Sequence, residues 1–316
     1  MGSPGERKRL FLIDTDPGLD DAQAILMALA VDSINVIALT TVQGNSSSYA
    51  SCLNALRLLK VADRLDIPVF PGCERALISP TLTAPLYHGE DGFGDVPDKE
   101  APGLDMAQSE HAVLGLIRLI QENPGEITLV ALGPLTNIAM AIRLEPTLGT
   151  KLKNCYIMGG NYRGIGNVTR SAEFNFANDA EAAHIVLTEL KCPITLITWE
   201  LCTDMKQPLT FWERLLTLPG RKAAFMHNIQ NNVRRRKEDY GFYIMCDELA
   251  MAAAINEETI LESHAVYAEV ETQGKITKGQ LVSDWRNSTG KQANVRLVTK
   301  MDINQVEELL INTYNE

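Results

Sequence analysis

The chain has 316 residues, 45% of them hydrophobic and 22% charged, enough to bury a sizeable globular core. Its formal net charge of −11 opposes general binding to nucleic acid or to anionic membranes. No apolar run is long enough to span a bilayer, the first residues lack the apolar segment of a signal peptide, and six scattered cysteines without a C-x-x-C pair fit a reducing, cytoplasmic setting.

Leu10 to Asp14 reads as a buried strand broken by Pro17-Gly18, with Asp20 at the helix N-cap position before the apolar run Ala22 to Ala30. Between strand and helix lie four carboxylates, Asp14, Asp16, Asp20 and Asp21. Like charges this dense are costly without a compensating cation or donors, and oxygen ligands at such a corner suit Ca²⁺ or Mg²⁺. Strands at Asn35 to Val42, Ile67 to Phe70, Ile127 to Leu132, Cys155 to Met158 and Ile194 to Trp199 then alternate with helices. The helical periodicities run over Ala50 to Ala62, Ala112 to Gln121, Asn137 to Leu144 and Ala180 to Leu190. The rhythm predicts an α/β fold: an open, mainly parallel sheet with helices on both faces.

Ser79 to Met106 interrupts this pattern as a long loop rich in Pro, Gly and Asp that contains His88. The turn Leu132-Gly133-Pro134 follows one strand and the glycines of Met158-Gly159-Gly160 follow another. Asn167, Glu173, Asn175, Asn178 and Asp179, with Phe174 and Phe176, are candidates to clasp a polyhydroxylated ligand, or else form a loop with capping residues. Pro208 to Asn256 reads as helical, which places a helical C-terminal portion near the active site. Within it, Arg234 to Lys237 reads as a solvated helix face and Asp247 as either an N-cap or a distant metal carboxylate. Late strands at Val266 to Thr272 and Val295 to Thr299 and a helix from Ile303 to Tyr314 complete a single domain over residues 1–316. Phosphate-loop, zinc-protease, dinucleotide and nucleophile-elbow motifs are absent.

Residues Asp14 to Asp21 resemble the D-x-D-P-G-x-D-D signature of the nucleoside hydrolases, the inosine–uridine-preferring N-ribohydrolases. The likeness continues in order through Thr40 to Asn45, His88 to Glu90, Gly133 to Asn137, Ile157 to Gly160, Ala172 to Asn175, Asp179 to Ala183, Asp247 and Asp284 to Arg286. The resemblance implies calcium-dependent hydrolysis of ribonucleosides to ribose and free base, in purine and pyrimidine salvage. It implies calcium ligands at Asp16, Asp21, Asp247 and the Leu132 carbonyl. Asp20, Asn45, Asn167, Glu173 and Asn175 would then hold the ribose, with Met158 beneath it. Asp16 would be the general base beside a calcium-held water, cleaving through an oxocarbenium-like state.

The chain departs from the family pattern where Cys246 stands in place of the usual His before the last calcium Asp. A thiol can donate a proton to the leaving base, but more weakly than imidazolium. The base would meet an apolar pocket with His88, Tyr240 or Tyr243 nearby, and family members commonly form homodimers or homotetramers. Two alternatives stand beside this reading. One is a nucleoside-binding homologue that has lost turnover. The other is a haloacid-dehalogenase-like phosphatase, whose pattern wants Thr or Val where this chain has Gly18.

Overall fold

A computed structural model describes residues 7–78, 80, 82–231 and 241–314; the Arg234 to Lys237 run and Tyr240 lie outside the described residues. In chain order the first half is β1 (Arg9–Thr15), α1 (Leu19–Leu29), β2 (Ile34–Thr41), α2 (Ser48–Val61), β3 (Val69–Phe70), α3 (Pro85–His88), α4 (Ala112–Glu122), β4 (Ile127–Ala131), α5 (Thr136–Leu144) and β5 (Asn154–Met158). The second half is α6 (Phe174–Asn178), α7 (Ala180–Glu189), β6 (Ile194–Ile197), α8 (Trp199–Asp204), β7 (Gln207–Pro208), α9 (Leu209–Leu216), α10 (Arg221–Asn231), β8 (Phe242–Tyr243), α11 (Asp247–Ile255), β9 (Ile260–Val266), β10 (Ala268–Val270), β11 (Leu281–Ser283), β12 (Val295–Met301) and α12 (Ile303–Thr313).

The main sheet has eight strands in the order β3-β2-β1-β4-β5-β6-β12-β9. Pairing is parallel throughout, except that edge strand β9 runs antiparallel to β12. Side chains alternate across the strands, so Phe11 and Ile13 enter one apolar core and Leu12 the other. The first core packs α1, α2, α9, α10, α11 and α12 on one face; the second packs α4, α5 and α7 on the opposite face. The expected doubly covered parallel sheet is therefore observed.

From β1 the chain works outward through β2 and β3, then returns to add β4, β5 and β6 on the other side. Strand order thus reverses between β1 and β4, and a crevice opens there beyond the strand ends. The Asp14 to Asp21 segment leaves β1 at this point, and Leu132 to Pro134 leaves β4 beside it. The Leu132 N–H donates to the Asp14 carbonyl at 2.8 Å, which carries the ladder one residue past β4.

Two helix starts differ from expectation. Gly18, not Asp20, is the N-cap of α1. The Asp21 carboxylate reaches back to accept the Gly18 N–H at 2.9 Å, so the acid three places on satisfies the orphan donor and the helix begins earlier. Cys246, not Asp247, is the N-cap of α11. Asp20 and Asp247 therefore sit in the first turns of their helices, where dipole and geometry favour acids. Trp199, expected at the end of a strand, instead opens α8.

Candidate active site

The two corners at the switch point make the floor of a cleft of about 670 Å³. Asp20, Asn45, His88, Leu132, Met158, Asn167, Glu173, Asn175, Cys246 and Asp247 all line it. Asp16 and Asp21 lie just beneath, fully buried. The residues that the family resemblance singles out thus lie in or under one cavity, although the outermost segments are more than two hundred positions apart in sequence.

Asp16 is held by close packing. Its Oδ2 accepts the Asn45 N–H at 2.7 Å, and its Oδ1 is buried with no hydrogen-bond partner among the described residues. A Cβ on Gly44 would fall 2.0 Å from Oδ2, and one on Gly133 would fall 2.4 Å from Oδ1. Only glycine leaves room for the carboxylate at these two positions. Asn45 adds side-chain bonds from Nδ2 to the Asp16 carbonyl at 3.2 Å and to Asp21 at 3.1 Å.

Asp20, Asp21 and Asp247 each offer a carboxylate oxygen within 4.8 Å of the others, close enough to hold a metal ion. This tightest trio contains Asp20; of the expected ligands, Asp16 lies alongside, near enough for its charge to act on Asp247. Burial first, then the charge of Asp20, pushes Asp21 up to about 6, against the lowering effect of its bonds from Thr15 and Gly18 and its hydrogen bond with Asp247. Burial, followed by the charges of Asp21, Asp20 and Asp16, pushes Asp247 well above the carboxylate range. Asp16 is raised in the same way, by burial and then by Asp21. An all-oxygen donor set, mutual repulsion and an unpartnered buried oxygen fit a hard divalent cation.

Asp14, the fourth clustered acid, serves elsewhere. It accepts from Thr40 at 2.5 Å and from Asn137 Nδ2 at 2.9 Å, tying β1 to β2 and α5. Burial still raises it to about 7.

On the opposite wall Glu173 caps α6, accepting N–H groups from Asn175 at 2.8 Å and Gly160 at 2.7 Å. Burial raises it to about 7 despite these bonds. The Asn175 amide donates to the Leu132 carbonyl at 2.8 Å and to the Met158 carbonyl at 3.1 Å. Asn167 is exposed at the rim. Two members of the polar cluster do not join the cleft. Asn178 donates to the Leu82 carbonyl, and Asp179 caps α7 while bonding Thr136 and Leu77. Their short polar side chains are occupied by the backbone.

Beside the β1–α1 corner His88 Nδ1 accepts the Leu19 N–H at 3.1 Å and lies 3.9 Å from Asp20 Oδ1. In the neutral ring the proton therefore sits on Nε2. Tyr243, expected near the base, is buried below the cleft, with its hydroxyl 2.8 Å from Gln23 and 2.7 Å from Glu248. The Cys246 thiol is pushed well above its ordinary range, first by a hydrogen bond with Cys202 and then by burial. Phe174, one of the two expected apolar walls, lines the cleft, whereas Phe176 is buried in the second core; Trp199, Ile244, Leu86 and Tyr87 also line the cleft and were not anticipated as site residues. The only sequence signal for Trp199 is an aromatic residue directly after a buried strand.

The chain is similar to known proteins over nearly its whole length. The chain is 35% identical over 309 residues to the inosine-uridine preferring nucleoside hydrolase of Leishmania major, covering 96% of each chain. It is 33% identical over 306 residues to the enzyme of that name from Crithidia fasciculata, again covering 96% of each. A solved inosine-guanosine nucleoside hydrolase superposes with a TM-score of 0.91 at 30% identity, covering 97% of this chain and 98% of the other. The phosphatase alternative has no counterpart in these matches. With the model of the inosine-uridine preferring nucleoside hydrolases matching residues 11–308, the chain belongs to that family and is a nucleoside hydrolase.

Proposed function

We propose that this nucleoside hydrolase cleaves the N-ribosidic bond with the help of one calcium ion. In this reading Asp16, Asp21, Asp247 and the Leu132 carbonyl hold the ion and Asp16 acts as general base. The observation that carries the proposal is the convergence of buried carboxylates, one oxygen of Asp16 left unpartnered, directly under a ribose-sized cleft. Asp20, whose oxygen lies in the same trio, would share contacts between ion and ribose.

A bound calcium ion would orient water and the sugar diol and lower the water's pKa. The remaining work falls to the chain's own residues. Asp16, kept ionised beside a cation, takes the proton of the attacking water through its free Oδ1. Asn45, Asn167, Glu173 and Asn175 offer donors and acceptors to the sugar hydroxyls, and Met158 supplies the apolar floor. Trp199, Ile244 and Leu86 exclude water around the base. Cys246 remains the candidate donor to the leaving base. A thiol held protonated this firmly gives its proton with little driving force, so bases that leave readily are favoured.

The named relatives act on inosine together with either uridine or guanosine, so inosine is the first substrate to test. Release of free base from inosine, uridine, guanosine and nicotinamide riboside is measured with calcium, after chelation, and after calcium is restored. Hydrolysis that disappears on chelation and returns with calcium supports the proposal. Nucleoside binding without hydrolysis in every arm would instead identify a binding protein.

A further inference from the structure

The acids of the proposed metal site come from two helices, Asp20 and Asp21 from α1 and Asp247 from α11. Apolar packing joins these helices, with Leu249, Met251 and Ile255 of α11 and four small alanines, Ala250, Ala252, Ala253 and Ala254, all in the shared core. Burial of apolar surface is non-directional and sets the axial register of one helix against another only loosely. A directional link is present. Gln23 on α1 is buried, and its Oε1 lies 2.8 Å from the Tyr243 hydroxyl. That hydroxyl is also 2.7 Å from Glu248 Oε1 on α11. Glu248 Oε2 in turn accepts the Cys246 N–H at 2.9 Å, which fixes the N-cap immediately before Asp247. Gln230 braces the other end by donating from Nε2 to Gln23 Oε1 at 3.0 Å, and the Trp212 indole N–H bonds Gln230.

We propose that Tyr243, through Gln23 and Glu248, is a positioning residue that sets the distance between Asp247 and the Asp20–Asp21 pair. It touches neither substrate nor ion, and its hydroxyl is the point where the α1 and α11 sides of the site meet. The inference rests on the metal reading above. Partners in the outer shell of a metal site commonly change affinity by roughly 10- to 100-fold when removed.

The test is Tyr243→Phe, which keeps the ring packed near Phe211 and removes one oxygen. Calcium binding to metal-free parent and variant is titrated by calorimetry, alongside thermal melting of the metal-free proteins. The expected result is about 10-fold weaker calcium binding in the variant, with turnover largely recovered when calcium is raised in excess. Should the variant fail to fold, Gln23→Met gives the same readout, because a side chain of similar length then lacks the acceptor that faces the Tyr243 hydroxyl. Unchanged calcium affinity with a lowered metal-free melting temperature makes Tyr243 a packing residue and overturns the proposal. A parent chain that binds no calcium overturns this inference together with the metal reading, and so is distinguishable from failure of the positioning role alone.

Discussion

The two ends of the cleft are built on different terms. At the β1–α1 corner directional bonds hold the acids: Asn45 alone bonds Asp16 twice and Asp21 once, while Asp14 Oδ2 and Asp16 Oδ1 are buried without a partner among the described residues. Two glycines are required to seat a single carboxylate there. At the far end Trp199, Ile244, Leu86 and Cys246 form a wall of apolar surface and one thiol. Directional bonds define one geometry for ribose and cation, whereas an apolar wall discriminates only weakly between flat rings of similar size. Under the proposed function, cleavage chemistry would be specified by the carboxylates and base choice left to the apolar wall, which fits a family whose named members differ in the bases they prefer.

The largest effect that would separate the ends is expected from Asp16→Asn. The variant keeps the shape and loses the base, so kcat should fall by roughly 10²- to 10⁴-fold with KM little changed. Calcium content of the variant is measured in parallel, because loss of the ion would lower the rate by another route. An unaltered kcat removes Asp16 from its role and moves the base to one of the trio Asp20, Asp21 and Asp247.

Metal removal comes next. A ligand present at about 100 times its Kd stabilises the folded state by about 2.7 kcal/mol, so calcium should raise the melting temperature of the chelated protein by several degrees. Magnesium, which demands tighter octahedral geometry, should do less. Equal shifts with both ions, or none, would break the assignment of the carboxylate end to calcium.

Gly133→Ala probes the same end through packing. The added methyl would stand 2.4 Å from Asp16 Oδ1, and displacing buried groups to accommodate it should cost about 1–3 kcal/mol in stability. Turnover should fall with it, since the displaced atom is the proposed proton acceptor. A variant of normal stability and activity would show that the corner is looser than its distances indicate.

These expectations also mark what sequence alone could reveal. The D-x-D-P-G-x-D-D segment is legible because strand, turn and helix start are contiguous, so the local pattern already places its acids at one sheet edge. Yet Asp14 and Asp16 look alike in sequence and part company in space: one is bonded by Thr40 and Asn137, the other by Asn45 beside the acids of the candidate metal site. Asn178 and Asp179 resembled ligand groups because capping and binding use the same residue types. Trp199 was hidden at the join of strand and helix, and the Gln23–Tyr243–Glu248 link depends on a Gln23–Tyr243 contact between residues 220 positions apart. Such pairings leave no local periodicity.

A gentler contrast is available in the pH dependence of stability. Glu173 is raised to about 7 in the metal-free fold, above the value near 4.3 of an exposed glutamate. Between those values the unfolded chain has lost its proton while the fold still holds one, so this group's contribution to stability falls as pH rises from about 4.3 to 7 and is level above it. Glu173→Gln should flatten that part of the profile, measured by denaturant unfolding at fixed calcium-free conditions. A profile of unchanged slope would mean that its three backbone donors already keep Glu173 ionised.

The smallest expected effect, and the one that addresses the base end directly, is that of Cys246→Ser. If the thiol donates to the leaving base, natural nucleosides should slow severalfold, while a nitrophenyl riboside, whose leaving group needs no proton, should be nearly indifferent. The modest size follows from the thiol itself, which Cys202 and burial hold protonated and which is therefore a poor acid at neutral pH. A serine hydroxyl is weaker still as an acid but retains a hydrogen bond of similar reach. Should both substrates change alike, Cys246 is a packing residue beside Cys202, and departure of the base depends on another donor. His88 is then the candidate to test, since its Nδ1 is occupied by the Leu19 N–H and its remaining nitrogen carries the proton at the cleft. His88→Gln, with an amide N–H in place of the ring donor, should in that case slow the natural substrates selectively and leave the activated riboside untouched. Indifference of both variants to the leaving group would mean that the base end only excludes water, with all catalytic proton transfer confined to the carboxylate end.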